Sequence, residues 1–451
     1  MKKNNSLKFL LLLLVFLISP LYLFCQFQQF AESYSLLSTV AGKGDMDISG
    51  TIGWKPEFEN GNALDAELTR PHFAMADSSG NIYIADKDAQ GIRKVTPEGI
   101  IKTVAGTNVA GDNGDGLGTE CQLSSPNGIW VKADGTVYIL DLGNDKIRRL
   151  NTNDSLETIV DDENGYSLGR GLWVTPSEDT IFYASASRIK MWTKENGVVI
   201  YATGFSGLGN ITMDKHGYLV ATDRSASLVY RISKDGNTKE IIAGNGSSAG
   251  GGDGYLATET ALYGVRGVWF LDDNSYFVAT HEGSQIWYID TGGIIHLFLN
   301  GYDGDEFHSG DGENYRTPGY KISEPRSVSV DYEGNVLIVE NDYGYVRKIK
   351  NDYTYYYTGL FKNTNVIQKI TAYPNPAKTE TSIKYQINKP ERVIFTLYNN
   401  LGEEIMIRED DNLNKGIRTI NINTAKYPDG MYYYSLSTGD SHITKKLLIS
   451  K

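Results

Sequence analysis

The sequence predicts an all-β chain, a six-bladed β-propeller followed by a small Ig-like β-sandwich. Three observations carry that expectation. A unit of four short β-rich segments recurs six times, its starts separated by about 40–60 residues, the spacing of propeller blades. The 451-residue chain holds 48 Gly and 30 Tyr, a mix of tight turns and aromatic strand residues. Near residue 371 the repeat gives way to a different run of alternating strands that continues to the last residue.

Taken in order, residues 1–25 read as a secretory signal peptide. Lys2, Lys3 and Lys8 form a positive start, and an apolar run extends from Phe9 to Leu23, broken by Ser19 and Pro20. The run is short for a helix that must cross about 30 Å of hydrocarbon. Cleavage near Cys25–Gln26 fits. Acylation of Cys25 would want a small residue where bulky Phe24 stands, and an uncleaved anchor would want stop-transfer charges, which do not follow. Without Cys25, Cys121 is the only thiol left, so no internal disulfide is expected. Loss of the leader takes the net charge from −12 to −15. A surface that acidic repels phosphate backbones and argues against nucleic acid as a partner. No later hydrophobic run is long enough to span a membrane, so no transmembrane segment is expected in the mature chain.

Residues 26–362 carry the repeat. The first full copy reads Pro71-His-Phe-Ala-Met-Ala-Asp, then Gly80-Asn-Ile-Tyr-Ile-Ala-Asp86, Gly91-Ile-Arg-Lys-Val95 and Ile101-Lys-Thr-Val-Ala-Gly106. A second begins at Pro126, weaker copies at Gly169, Leu208 and Val265, and a clear sixth at Pro325. Gly80, Gly135, Gly217 or Gly334 occupies the turn between the first two strands, as a tight hairpin requires. One blade cannot bury both its faces, whereas radial stacking buries them and leaves only short edges. Tyr83, Tyr138 and Phe182 are candidates for the packing between blades. Two segments compete to complete the last blade, Ser38–Gly42 and Tyr355–Gly359, and closure by the N-terminal strand is favoured.

The three quoted strands, with the loops Gly111-Asp-Asn-Gly-Asp-Gly116 and Gly250-Gly-Gly-Asp-Gly254, resemble NHL-repeat propellers over roughly residues 37–359. Beyond a linker at 363–370, residues 371–451 open on Tyr373-Pro374-Asn375-Pro376, where two prolines fix φ and forbid helix. Leu397-Tyr-Asn-Asn-Leu-Gly402, Asp429-Gly430-Met-Tyr-Tyr and the closing Lys445-Lys446-Leu-Leu-Ile follow, within about seven short strands. This order resembles the type A sorting domain of type IX secretion in Bacteroidota. The resemblance implies handling by the type IX secretion machinery, passage through the periplasm, and delivery to the outer surface or the medium.

Chemistry is sparse. The six histidines (His72, His216, His281, His296, His308 and His442) show no pairing at metal-ligand spacing. Gly-x-Ser-x-Gly occurs at Gly165–Gly169 and Gly246–Gly250, in neither case between a strand and a helical pattern as a nucleophile elbow requires. Asn127 and Asn210 can be read as axial ligands of a lactonase-type divalent ion or as plain channel lining. Asp45-Met-Asp47-Ile-Ser49-Gly50 starts like a calcium loop, but its twelfth position is Pro56, with Glu57 beside it, so it reads as a weak Ca site or a solvated turn. No other cofactor is expected. One pattern emerges from the repeat register: the residue after each copy's first position is His72, Asn127, Arg170, Gly209, Arg266 and Arg326. At one level around the axis these would form an anion-binding mouth, or the arginines would pair with neighbouring carboxylates as struts. The functional expectation is an exported binding or scaffold propeller for an anionic glycan or a protein, with a metal-dependent lactonase-like hydrolase or a lyase as the alternative.

Overall fold

The computed structural model describes residues 27–28, 30–44, 54–162, 165, 169–302, 308–352, 367–387, 392–399, 404–410, 414–438 and 442–451. The signal peptide, the Asp45–Gly50 loop, Tyr355–Gly359 and Gly402 lie outside them. The chain divides into two compact units, residues 1–357 and 358–451.

The first unit is a ring of six antiparallel sheets. We number the blades I to VI and give their strands from the axis outwards. Blade I holds Pro71–Ala76, Ile82–Asp86, Gly91–Val95 and Ile100–Ala105; blade II holds Pro126–Val131, Val137–Asp141, Lys146–Leu150 and Ser155–Asp161. Blade III holds Leu172–Val174, Thr180–Ser185, Arg188–Thr193 and Gly197–Thr203; blade IV holds Leu208–Met213, Leu219–Asp223, Leu228–Ile232 and Lys239–Ala243. Blade V holds Val265–Phe270, Tyr276–Thr280, Gln285–Ile289 and Ile295–Asn300. Blade VI takes three strands from its own repeat, Pro325–Val330, Val336–Glu340 and Tyr345–Asn351, and its outermost from Tyr34–Ala41, paired antiparallel to Tyr345–Asn351. The two ends of the ring are therefore fastened by main-chain hydrogen bonds. Tyr34 adds an aromatic contact with Phe298 of blade V, 5.2 Å between ring centres.

Successive innermost strands touch one another around the circle, and blade VI touches blade I. Apolar residues fill the wedges between sheets: Leu337, Val339 and Val346 of blade VI pack with Ala74, Ile82 and Ile84 of blade I. Tyr138 bridges blades II and III, its hydroxyl donating to Glu178 at 2.5 Å. Near the axis the strands approach so closely that a side chain is excluded. A Cβ on Gly171 would lie 2.5 Å from the Ile211 amide nitrogen, and one on Gly128 2.5 Å from the Arg170 carbonyl oxygen. Both obstacles are backbone, which cannot rotate away. Gly171→Ala is therefore expected to lower stability by about 3 kcal/mol or more, read as a drop in the urea midpoint of the full chain.

Three blades share a buried ionic strut. Arg93 Nε sits 3.1 Å from Asp86 Oδ2, Arg148 Nη1 3.5 Å from Asp141 Oδ2, and Arg347 Nη1 3.0 Å from Glu340 Oε1, all six side chains fully enclosed. Each acid ends a second strand and each arginine lies in the third. The same carboxylates accept the amides of Thr69, Ser124 and Ser323, which fixes the loop entering each blade. The Ile-Arg-Lys-Val strand of the repeat thus clamps its own blade to the connection before it.

The second unit is a two-sheet sandwich. One sheet has the order Ile367–Tyr373, Glu380–Ile387, Gly416–Asn423; the other has Glu404–Asp410, Val393–Tyr398, Gly430–Ser437, His442–Ile449. Alternate residues of both face inward, so Ile383, Tyr385, Phe395, Leu397, Tyr434 and Leu447 form one core. The motif residues hold the first and last strands together. The Asn375 side chain donates to the Lys446 carbonyl and accepts the Leu448 amide, at 3.1 and 2.9 Å. Thr381 Oγ1 donates to the Pro374 carbonyl oxygen at 2.8 Å, while the Tyr373 side chain stands 81 % exposed.

Candidate functional site

The mouth of the ring is built on bulges. In five blades the pairing register slips at the start of the innermost strand: between Pro71 and Phe73, Pro126 and Gly128, Leu208 and Ile211, Val265 and Gly267, and Pro325 and Ser327. A bulged residue leaves the ladder and is re-aimed. Here those residues are His72, Asn127, Gly209 with Asn210, Arg266 and Arg326. In blade III the strand begins only at Leu172, and Arg170 precedes it. Together with Phe73 these side chains line one cavity of about 10 Å³, room for roughly one water molecule. The repeat register expected His72, Asn127, Arg170, Arg266 and Arg326 at one level, and the structure brings all five together. In blade IV the bulge is longer, so Asn210 supplies the polar group where Gly209 has none.

The two asparagines act first as ties between blades. Asn127 Nδ2 donates to the Gly169 carbonyl at 2.6 Å, and Asn210 Nδ2 to that of Val268 at 3.2 Å. Two of the three arginines are paired: Arg266 Nη2 meets Glu282 Oε1 at 2.8 Å, and Arg326 Nη2 lies 3.7 Å from Asp342 Oδ1. Arg170 has no carboxylate partner among the described residues. Burial, then the guanidiniums of Arg326, Arg266 and Arg224, push it down to about 8, an unusually low value for a group that keeps its charge in most settings. Burial and Arg266 push Arg326 down to about 9. Three buried guanidinium nitrogens around the cavity have no hydrogen-bond partner among the described residues: Arg170 Nη1, Arg266 Nε and Arg326 Nε. Each needs an acceptor, which one water molecule or the oxygens of a small anion would supply.

Three residues missed by sequence reasoning join this site: His281 and Glu282, in the loop between the second and third strands of blade V, and Asp342, in the same loop of blade VI. Arg326 Nη2 lies 3.0 Å from His281 Nε2, so that nitrogen accepts and the proton sits on Nδ1, 3.7 Å from Glu282 Oε2. His281 Nε2 also lies 3.5 Å from Asp342 and 4.0 Å from Glu324. These three could hold a cation, but it would have to displace the Arg326 guanidinium from the ring nitrogen. Burial, reinforced by Arg326 and Arg266, lowers His281 to about 4 against the pull of Asp342, and His72 is lowered well below its ordinary value by burial, Arg326 and Arg170.

That shift has a measurable consequence. An unfolded histidine takes its proton near pH 6.5, while His281 in the fold resists until about 4. Between those values the unfolded chain binds more protons, so stability falls as pH drops through that window. The part owed to His281 is on the order of 2–3 kcal/mol at the acid end. Urea unfolding at pH 7 and pH 4.5 is expected to show a shallower acid loss in His281→Gln than in the wild type.

Comparison with known proteins agrees with both units. Residues 371–450 match the family model of the secretion system C-terminal sorting domain. Human and mouse teneurin-4 are each 26 % identical over 206 residues, 41 % of this chain and 7 % of theirs. The chain thus matches only a small part of those relatives. A Bacteroides thetaiotaomicron protein of unknown function superposes with a TM-score of 0.55 at 16 % identity, covering 70 % of this chain and 75 % of its own. An auxiliary nutrient-binding protein of Bacteroides ovatus gives 0.53 at 14 %, covering 70 % and 76 %. At these identities the likeness establishes the fold alone, a β-propeller. The sorting domain directs the chain out of the cell, to its surface or beyond, and no helix among the described residues is long and apolar enough to cross a membrane.

Proposed function

We propose that the propeller is a binding module whose axial mouth seats the anionic end of a surface glycan or protein. The observation that carries this reading is Arg170, a half-buried guanidinium with no carboxylate partner among the described residues, in a cavity it shares with Arg266 and Arg326. An anion at that point would offset the mutual repulsion of three cations and supply acceptors to their unfilled N–H groups. The cavity is too small for a sugar ring, so the reading is of a carboxylate or sulfate tip, with the rest of the ligand outside. Calorimetric titration of the full chain with acetate and with sulfate tests it, with Arg170→Ala as the control that abolishes the signal. A hydrolase or lyase is the second reading, favoured by the His281, Glu324 and Asp342 cluster. It requires turnover that His281→Ala eliminates.

A further inference from the structure

The rim of the mouth is uneven. Among the described residues of the propeller, the exposed aromatic side chains are four tyrosines. Three of them, Tyr263, Tyr302 and Tyr320, stand on the connections that lead into blades V and VI, 47, 47 and 45 % exposed. One loop, His281–Ser284, gathers them. Tyr263 lies in a tight turn, closed by the Val265 amide on the Leu262 carbonyl at 3.1 Å, which buries Leu262 and leaves the tyrosine outside. Two further bonds pin that turn to the loop: Gly283 N–H donates to the Tyr263 carbonyl and His281 N–H to that of Gly264, both at 3.1 Å. On the other flank of the loop, Gly301 packs on the Ser284 carbonyl oxygen. Next to it the Tyr302 amide donates to the Ile322 carbonyl at 3.0 Å, and the rings of Tyr302 and Tyr320 lie 5.4 Å apart, tilted by 48°. The loop itself reaches the axial cavity, for Glu282 holds Arg266 and His281 holds Arg326, two arginines of its lining. The tyrosines therefore flank the anion seat on its blade V and VI side.

Apolar surface gathered beside a site and left in water marks a place where a ligand lies. Tyrosine offers a flat apolar face with a polar tip, at little cost in side-chain entropy. Each ring is nearly half exposed rather than sunk in a pit. Such rings suit a flat partner, with C–H groups on its face and hydroxyls at its edge, better than an aliphatic side chain that needs a hole. A pyranose ring has that form. The cavity adds the charge: with room for about one water molecule, it takes a carboxylate oxygen more readily than the bulkier sulfate. We infer that the mouth and its tyrosines take a uronic-acid saccharide, its terminal carboxylate at the Arg170 cavity and the sugar rings that follow across Tyr263, Tyr302 and Tyr320. This rests on the anion seat proposed above and names the ligand class that its rim selects.

The test is a calorimetric series on the full chain with acetate, the trimers of galacturonate and of mannuronate, and N-acetyl-trialanine, a peptide with one carboxylate and no amine. At least one uronate trimer is expected to bind roughly tenfold tighter than acetate or better, and tighter than the peptide. In Tyr263→Ala, and separately in Tyr302→Ala, that advantage is expected to shrink by about fivefold or more while acetate binding stays within about threefold. Tyr302→Phe, which keeps the ring, is expected to retain it. If acetate binds and neither trimer binds tighter, or if the alanine variants leave the advantage intact, the tyrosine rim is refuted and the anion seat stands. If the peptide binds tighter than both trimers, the rim serves a protein and the saccharide is refuted. If no carboxylate binds at all, the anion seat falls and this inference with it.

Discussion

Arg93→Ala is expected to destabilise the propeller by about 3–5 kcal/mol, because it strands Asp86 in a fully enclosed site. The loss is larger than for a surface ion pair, which contributes about 0–1 kcal/mol. Arg93 does more than neutralise. It donates to Thr103 Oγ1 at 2.5 Å and to the Ala89 carbonyl at 3.3 Å, and its guanidinium stacks 4.0 Å from the Trp54 ring centre. Truncation therefore removes hydrogen bonds, a cation–π contact and packing at once. The double variant Asp86→Leu with Arg93→Met removes both charges and fills the volume, and is expected to recover most of the loss. Thermal unfolding reads both, with a fall of roughly 10 °C for the single variant. A loss below about 1 kcal/mol for Arg93→Ala would mean that water reaches Asp86.

Arg170→Ala is expected to behave in the opposite way. No carboxylate among the described residues depends on Arg170, and its removal relieves repulsion with Arg326, Arg266 and Arg224. The unfolding midpoint is expected to stay level or rise slightly. Affinity for a small anion falls by about 2–4 kcal/mol, the range for deleting one partner of a desolvated charge pair. Arg266→Ala gives the contrast, since it leaves Glu282 without its 2.8 Å partner and lowers stability as well as binding. If Arg170→Ala instead unfolds as readily as Arg266→Ala, the arginines are struts and the mouth is not a seat.

The repeat made the ring legible. Gly80, Gly135, Gly217 and Gly334 mark the first hairpin of four blades, all with positive φ, and the innermost strands follow from them by counting. The axial residues were legible for the same reason, because a repeated register places equivalent residues at one level. Blade IV shows the limit of counting: a bulge from Leu208 to Ile211 shifts the polar group by one residue, to Asn210, a residue readable as axial only apart from the register, which pointed to Gly209. The buried struts left a readable trace that went unused, since Asp86 and Arg93, Asp141 and Arg148, and Glu340 and Arg347 share one spacing of seven residues. His281, Glu282 and Asp342 were not readable. They sit in the loop after the second strand, outside the four strand segments that define the repeat.

Anomalous diffraction from crystals of the full chain soaked in bromide shows whether the axial mouth seats an anion. A bromide is expected in the axial cavity, in contact with the Arg170 guanidinium. An empty cavity, with Arg170 turned onto a carboxylate of its own chain, would contradict it.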